Sequence, residues 1–147
     1  MSTQVLTAEA QLSTLLPSRQ PGKGWSITLW IAQGLLATAF LAIGGMKLLP
    51  PADAQAAQMP AILRLFIGSA EVIGALGLIL PAATRIKHLL TPLAALGLLT
   101  VMVLATLFHI SRGEYQALPV PLAFAALAGF IAWGRTKKAP ITPGGRV

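Results

Sequence analysis

Four ionisable side chains, Lys47, Arg64, Glu71 and His109, stand inside or at the edge of long apolar runs. A carboxylate in such a setting, with two cations and an imidazole in reach, has the parts for proton transfer and for holding a carbonyl or anionic oxygen. Glu71 would accept a proton or a hydrogen bond, Lys47 and Arg64 would hold the oxygen, and His109 would relay a proton outward. Each group also has a plainer use. Lys47 and Arg64 can snorkel to head groups, His109 can be an interfacial side chain, and Glu71 can be a protonated carboxyl bonded to a backbone carbonyl. No metal site is expected. His88 lies at the opposite end of its helix from His109, which argues against a histidine pair on haem. A chain with no cysteine makes no disulfide, no covalent c-type haem and no cysteine-ligated cluster.

The elements that must position these groups follow from composition. Of the 147 residues 55% are hydrophobic and 10% charged, with a net charge of +7. Those proportions describe a membrane protein, not a soluble domain. The basic residues sit at the ends of apolar runs without interleaved aromatics, which excludes nucleic acid as a partner. Pro60 and Pro81 enclose 20 residues, enough for a helix of about 30 Å, the thickness of a bilayer core. Three further runs behave alike. The expected fold is an all-α, transmembrane four-helix up-down bundle with spans at about 25–49, 60–81, 89–110 and 117–135. Residues 1–24 read as a flexible N-terminal segment without a cleavable signal peptide, and 136–147 as a basic, disordered tail.

Four spans bring both termini to one side. Arg19, Lys23, Arg85, Lys87, Arg135, Lys137, Lys138 and Arg146 flank that side, so both termini are expected in the cytoplasm, in a bacterial inner membrane. Small residues should carry the helix packing, with Ala70 and Gly74 in helix two and Ala125 and Gly129 in helix four spaced for it.

Helix direction decides which polar groups can meet, because side chains lean toward the N-terminus of their own helix. Glu71 leans outward from mid-membrane, while Lys47 and His109 lean inward from the outer ends of helices one and three. With helix ends level, Lys47 and Glu71 are about 12–14 Å apart along the axis at ~1.5 Å per residue. Arg64 is two turns from Glu71 on the same face, with Gly68 leaving room for it to fold back. Gln33, Gly44, Gly68, Met102 and Thr106 are expected to line the shared pocket. The hydroxyls of Ser69, Thr100 and Thr106 are expected to bond to their own helix. Proton conduction would need a polar route to the inner side, where Gln33 alone stands.

The run AIGGMKLL at the end of helix one, RLFIGSAEVIGALGLILP in helix two and LAALGLL with His109 in helix three carry a resemblance. Over about Ile27 to Arg135 the chain resembles the DoxX-like family of small four-helix membrane proteins. Gly44 and Lys47 match that family's glycine–lysine signature. Glu71 with Gly68 and Gly74 matches its glutamate–glycine pattern, and His109 a histidine of one branch. The resemblance implies a membrane subunit or accessory of an oxidoreductase that passes electrons to a quinone, or a component of an oxidative-stress complex. A quinone is then the cofactor to expect. The implied partners are the lipid bilayer, other membrane or periplasmic oxidoreductase subunits, and a homo-oligomer. The alternative is a non-enzymatic assembly factor or small-molecule carrier in which the buried charges fix helix packing.

Overall fold

The computed structural model describes residues 4, 5, 7, 11, 23–51, 59–84, 87 and 89–141. Four long helices dominate: α1 (Lys23–Leu48), α2 (Ala61–Thr84), α3 (Leu90–Ser111) and α4 (Pro119–Trp133). A 3-10 turn, Tyr115–Ala117, leads into α4, and a π turn, Gly134–Lys138, extends it. No strand occurs among the described residues. Most of the two terminal segments expected to be loosely ordered, and Asp53 and His88, lie outside the described residues.

Prolines punctuate the helices. Pro50 and Pro51 follow α1, Pro119 sits in the first turn of α4, and α2 begins directly after Pro60, whose carbonyl accepts from the Arg64 amide at 3.0 Å. Pro81 does not end α2 as expected; the helix runs on to Thr84. The missing amide at Pro81 costs one backbone bond to the preceding turn. The carbonyl so freed is that of Gly77, and one residue on from it the Gln33 amide of α1 donates to the Leu78 carbonyl at 2.6 Å. At the far end of the chain, helical winding passes the expected limit at residue 135: the π turn closes with Ala139 N–H on the Gly134 carbonyl at 2.8 Å.

Each helix packs mainly on its neighbours in sequence, and the α1–α4 contact that closes the ring is much thinner. The bundle is therefore two hairpins, α1–α2 and α3–α4, joined along α2 and α3. The fully buried residues Leu29, Leu36, Phe40, Leu78, Leu98 and Ile131 form its axis. Glycines set the closest approaches. A Cβ at Gly74 would lie 2.6 Å from Leu98, one at Gly77 2.8 Å from Ala94, and one at Gly134 2.5 Å from Leu29. Gly129 has nothing within 4 Å of such a Cβ, so the small-residue pair expected in helix four makes no close contact through its glycine.

The outer surface is apolar along its length. Ile62 is 83% and Phe66 73% exposed, with Met46, Ile73, Leu104 and many other large side chains also turned outward. A soluble monomer does not carry so continuous an apolar coat, whereas acyl chains cover it without cost. All four spans are long and apolar enough to cross a membrane. Trp25, Trp30 and Trp133 mark the end that carries the termini, with Lys138 5.8 Å above the Trp25 ring and 5.4 Å above that of Trp133. Amphipathic rings and a lysine at one level suit the interface between hydrocarbon and water.

Candidate functional site

A crossing of α1 and α2 at which glycine backbone meets glycine backbone creates the site. A Cβ at position 44 would stand 2.9 Å from the Glu71 Cβ and 2.9 Å from the Gly68 carbonyl oxygen. One at position 68 would stand 2.9 Å from the Gly44 carbonyl oxygen and 2.9 Å from the Lys47 Cβ. Gly44 therefore lies level with Glu71, and Gly68 level with Lys47. The antiparallel helices are staggered, which leaves Lys47 and Glu71 one turn apart, about 5 Å at ~1.5 Å per residue, not the 12–14 Å that level helix ends require. The two side chains lean toward each other and close that distance. Lys47 Nζ donates to Glu71 Oε1 at 2.5 Å. The carboxylate is 0% exposed and the lysine side chain 28% exposed. Gly44 and Gly68, expected as pocket lining, instead make the crossing that brings the pair together.

Beside the pair lies a cavity of about 480 Å³ at the end of the bundle away from the termini, walled by all four helices. Phe40, Ile67, Met102 and Phe124 form much of its wall, and Lys47, Glu71 and His109 are its polar members. Its origin is the unequal packing of α2 on α3. Toward the termini Gly74 and Gly77 of α2 let α3 close in through Leu98 and Ala94; beyond that contact Ala70 and Ile67 face Met102 and Ala105 across open space. The exposed Phe66 and Leu104 also border the cavity, so its mouth opens toward the lipid. Glu71 Oε2 is buried and has no partner among the described residues. A donor on a bound molecule would satisfy it.

The remaining expected members are placed differently. Arg64 does not fold back on Glu71. Its Nη1 donates to the carbonyls of Lys47, at 2.7 Å, and of Leu49. Leaning toward the start of α2, the guanidinium meets the end of α1, where the last carbonyls lack helical partners, and so it caps that helix. His109 does line the cavity, but its Nδ1 lies 2.7 Å from Glu114 Oε2, not near Glu71. Gly113, at φ +71°, turns the chain sharply enough to bring Glu114 back, with the Glu114 amide on the His109 carbonyl at 2.9 Å. Arg112 Nε donates to Glu114 Oε1 at 2.7 Å. The hydrogen bonds from Arg112 and then from His109 hold the Glu114 carboxyl below the usual carboxylate range. Met102 is in the wall as expected. Thr106 is not, and its hydroxyl donates to the Met102 carbonyl at 2.8 Å, as that of Thr100 does to Leu96 at 3.0 Å.

Gln33 belongs to a second polar cluster, near the termini. Its amide nitrogen serves Leu78, and its Oε1 accepts from Arg135 Nε at 2.5 Å. Sequence reasoning missed this arrangement by treating Arg135 as a flanking cation. The signal was there in Gln33, a neutral polar group in mid-span that needs a partner, and in Gly134, which lets the last turn of the chain press on Leu29. The role of Glu114 was missed as well, although Gly113 announces the turn that returns it. Among the described residues no three histidine, cysteine or acidic side chains gather as a metal site.

Comparison with curated proteins and with solved structures gives no match. The profile of the DoxX-like family does match, over residues 31–131, which takes in α1 from its first third, all of α2 and α3, and most of α4. The Gly44–Gly68 crossing and the Lys47–Glu71 pair fall inside that match with most of the four apolar helices, and the chain is an integral membrane protein that belongs to the DoxX-like family.

Proposed function

We propose that the chain binds a ring-bearing, polar-headed amphiphile of the quinone class in the cavity beside Lys47 and Glu71, as the membrane subunit or accessory of a quinone-linked oxidoreductase. The observation that carries this reading is a carboxylate oxygen without a partner among the described residues, in the wall of an apolar space of about 480 Å³. That volume falls in the range of small-molecule sites. The Phe40 and Phe124 rings, 5.3 Å apart between centroids, and Met102 suit a flat ring. The pair suits both redox forms of such a head: the lysine ammonium can donate to a carbonyl, and the Glu71 oxygen can accept from a hydroxyl. Quinones live in the hydrocarbon, and a mouth bordered by Phe66 and Leu104 admits them from there. The quinone supplies the electron-accepting chemistry; this chain binds the head, orients it and holds a proton at Glu71, while a partner subunit delivers electrons.

The weight of lysine and arginine at the termini supports cytoplasmic ends in a bacterial inner membrane, with the cavity in the outer leaflet. Titration of the purified protein with a short-tailed benzoquinone, read by calorimetry, should give saturable binding that weakens in both Glu71→Gln and Lys47→Ala. Unchanged binding in the two variants removes this role.

The Lys47–Glu71 contact itself favours a second reading, in which the pair is a register lock of an assembly factor or carrier. In that case Glu71→Gln lowers stability in detergent, and the wild type shows no saturable quinone binding to lose.

A further inference from the structure

Arg135 is a cation folded into the bundle with no anion beside it among the described residues. Its side chain is 5% exposed although the residue lies in the last helical turn. Gly134 explains the inward turn, because its missing side chain lets Leu29 press against the α4 backbone. The π winding adds a residue to that turn, which redirects the side chains that follow. The guanidinium lies 5.4 Å from the centroid of the Trp30 ring, and Nε is bonded to Gln33. Both contacts orient the group, and neither carries negative charge. Nη2 is buried and has no partner among the described residues. Glu71 and Glu114, the acids among those residues, belong to the other end of the bundle.

A cavity of about 270 Å³ adjoins this guanidinium, bordered by Ser26, Trp30, Ala83 and Pro140. It lies at the level of the tryptophan belt, where the phosphates of a leaflet run. Ser26 brings a hydroxyl to its wall. Ala82 and Ala83, near the C-terminal end of α2, also border the cavity; a helix C-terminus offsets about half a charge at most, so the guanidinium stays net positive.

We propose that this cavity is an oxyanion site, in which the Arg135 guanidinium and the Ser26 hydroxyl hold a phosphate group, either that of a phospholipid head group or free inorganic phosphate. A planar guanidinium already fixed through Nε presents its remaining donors to a tetrahedral oxyanion with little further loss of freedom. The site is separate from the cavity at Lys47 and Glu71, on the opposite face of the membrane.

Native mass spectrometry of the full-length, delipidated protein tests it, with phosphatidylglycerol titrated in one arm and inorganic phosphate in the other. Wild type should bind one equivalent, and Arg135→Gln should weaken binding at least about tenfold, the expected loss of a charge-assisted hydrogen bond. Should Arg135→Gln fail to fold, Ala83→Leu fills the cavity from an exposed position, leaves the arginine in place and should abolish the same adduct. Adducts with the lipid alone identify the head group as the source, and competition by inorganic phosphate identifies the free anion. Equal affinity in wild type and Ala83→Leu overturns the proposal.

Discussion

Removal of Lys47 should cost more than removal of Glu71, although the two form one ion pair. The structural reason is unequal access to water: the carboxylate is 0% exposed and the lysine side chain 28%. Breaking a buried pair by deleting one partner costs about 3–5 kcal/mol, because an uncompensated charge stays behind. Lys47→Ala leaves Glu71 with both oxygens unpartnered in a wall that water does not reach, since Oε2 already lacks a partner among the described residues. Part of the Coulomb term is screened through the exposed lysine, so we expect about 2–4 kcal/mol. Glu71→Gln leaves an ammonium that can swing to the near end of α1 and be hydrated, and we expect about 1 kcal/mol. Replacing both groups with apolar side chains, Lys47→Met with Glu71→Leu, should recover most of the larger loss, as paired replacement of buried ions does elsewhere. Equilibrium unfolding of the purified protein in mixed micelles measures all three. If Glu71→Gln is the more damaging single change, or if the double replacement costs the sum of the two, the pair is not the coupled, one-sidedly buried contact described above.

Gly44→Ala places a methyl against the Glu71 Cβ and the Gly68 carbonyl, neither of which can swing away. The variant should lose about 1–3 kcal/mol of stability in the same unfolding assay and bind the benzoquinone more weakly, because the helices carrying the pair are pushed apart. Gln33→Leu removes a donor from the Leu78 carbonyl and an acceptor from Arg135 Nε. Two groups left wanting should cost about 2–4 kcal/mol in unfolding, with quinone affinity unchanged. The Glu114 carboxyl, held below the usual range by Arg112 and His109, ionises more readily in the folded chain than in the unfolded one. Its contribution is present in full above the ordinary carboxylate value of about 4.3 and is lost as pH falls through the lower folded value. Melting temperatures of wild type and Glu114→Gln should therefore differ at neutral pH and converge in acid; a constant gap from pH 7 to pH 3 refutes that assignment.

The number of spans, their limits to within a few residues and the arrival of both ends of the bundle on one side were legible in the amino-acid sequence. Each depends on a sum of transfer free energies along a short stretch and on the prolines that interrupt it, and both are local properties. That Glu71 needs a partner was legible for the same reason. Which partner it takes is decided by the tertiary structure. Lys47, Arg64 and His109 all had the right chemistry and a plausible direction, yet only Lys47 reaches the carboxylate. The stagger of α1 on α2 is set by two glycines that lock Gly44 against Glu71 and Gly68 against Lys47. The same stagger carries the end of α1 to Arg64, and the turn at Gly113 removes His109 to Glu114. Arg135 and Gln33, far apart in the chain, become one cluster only when the last turn of the bundle closes on Leu29. Hydropathy can be added up one residue at a time, but an ion pair between helices depends on their relative shift and rotation, and those are properties of packed surfaces.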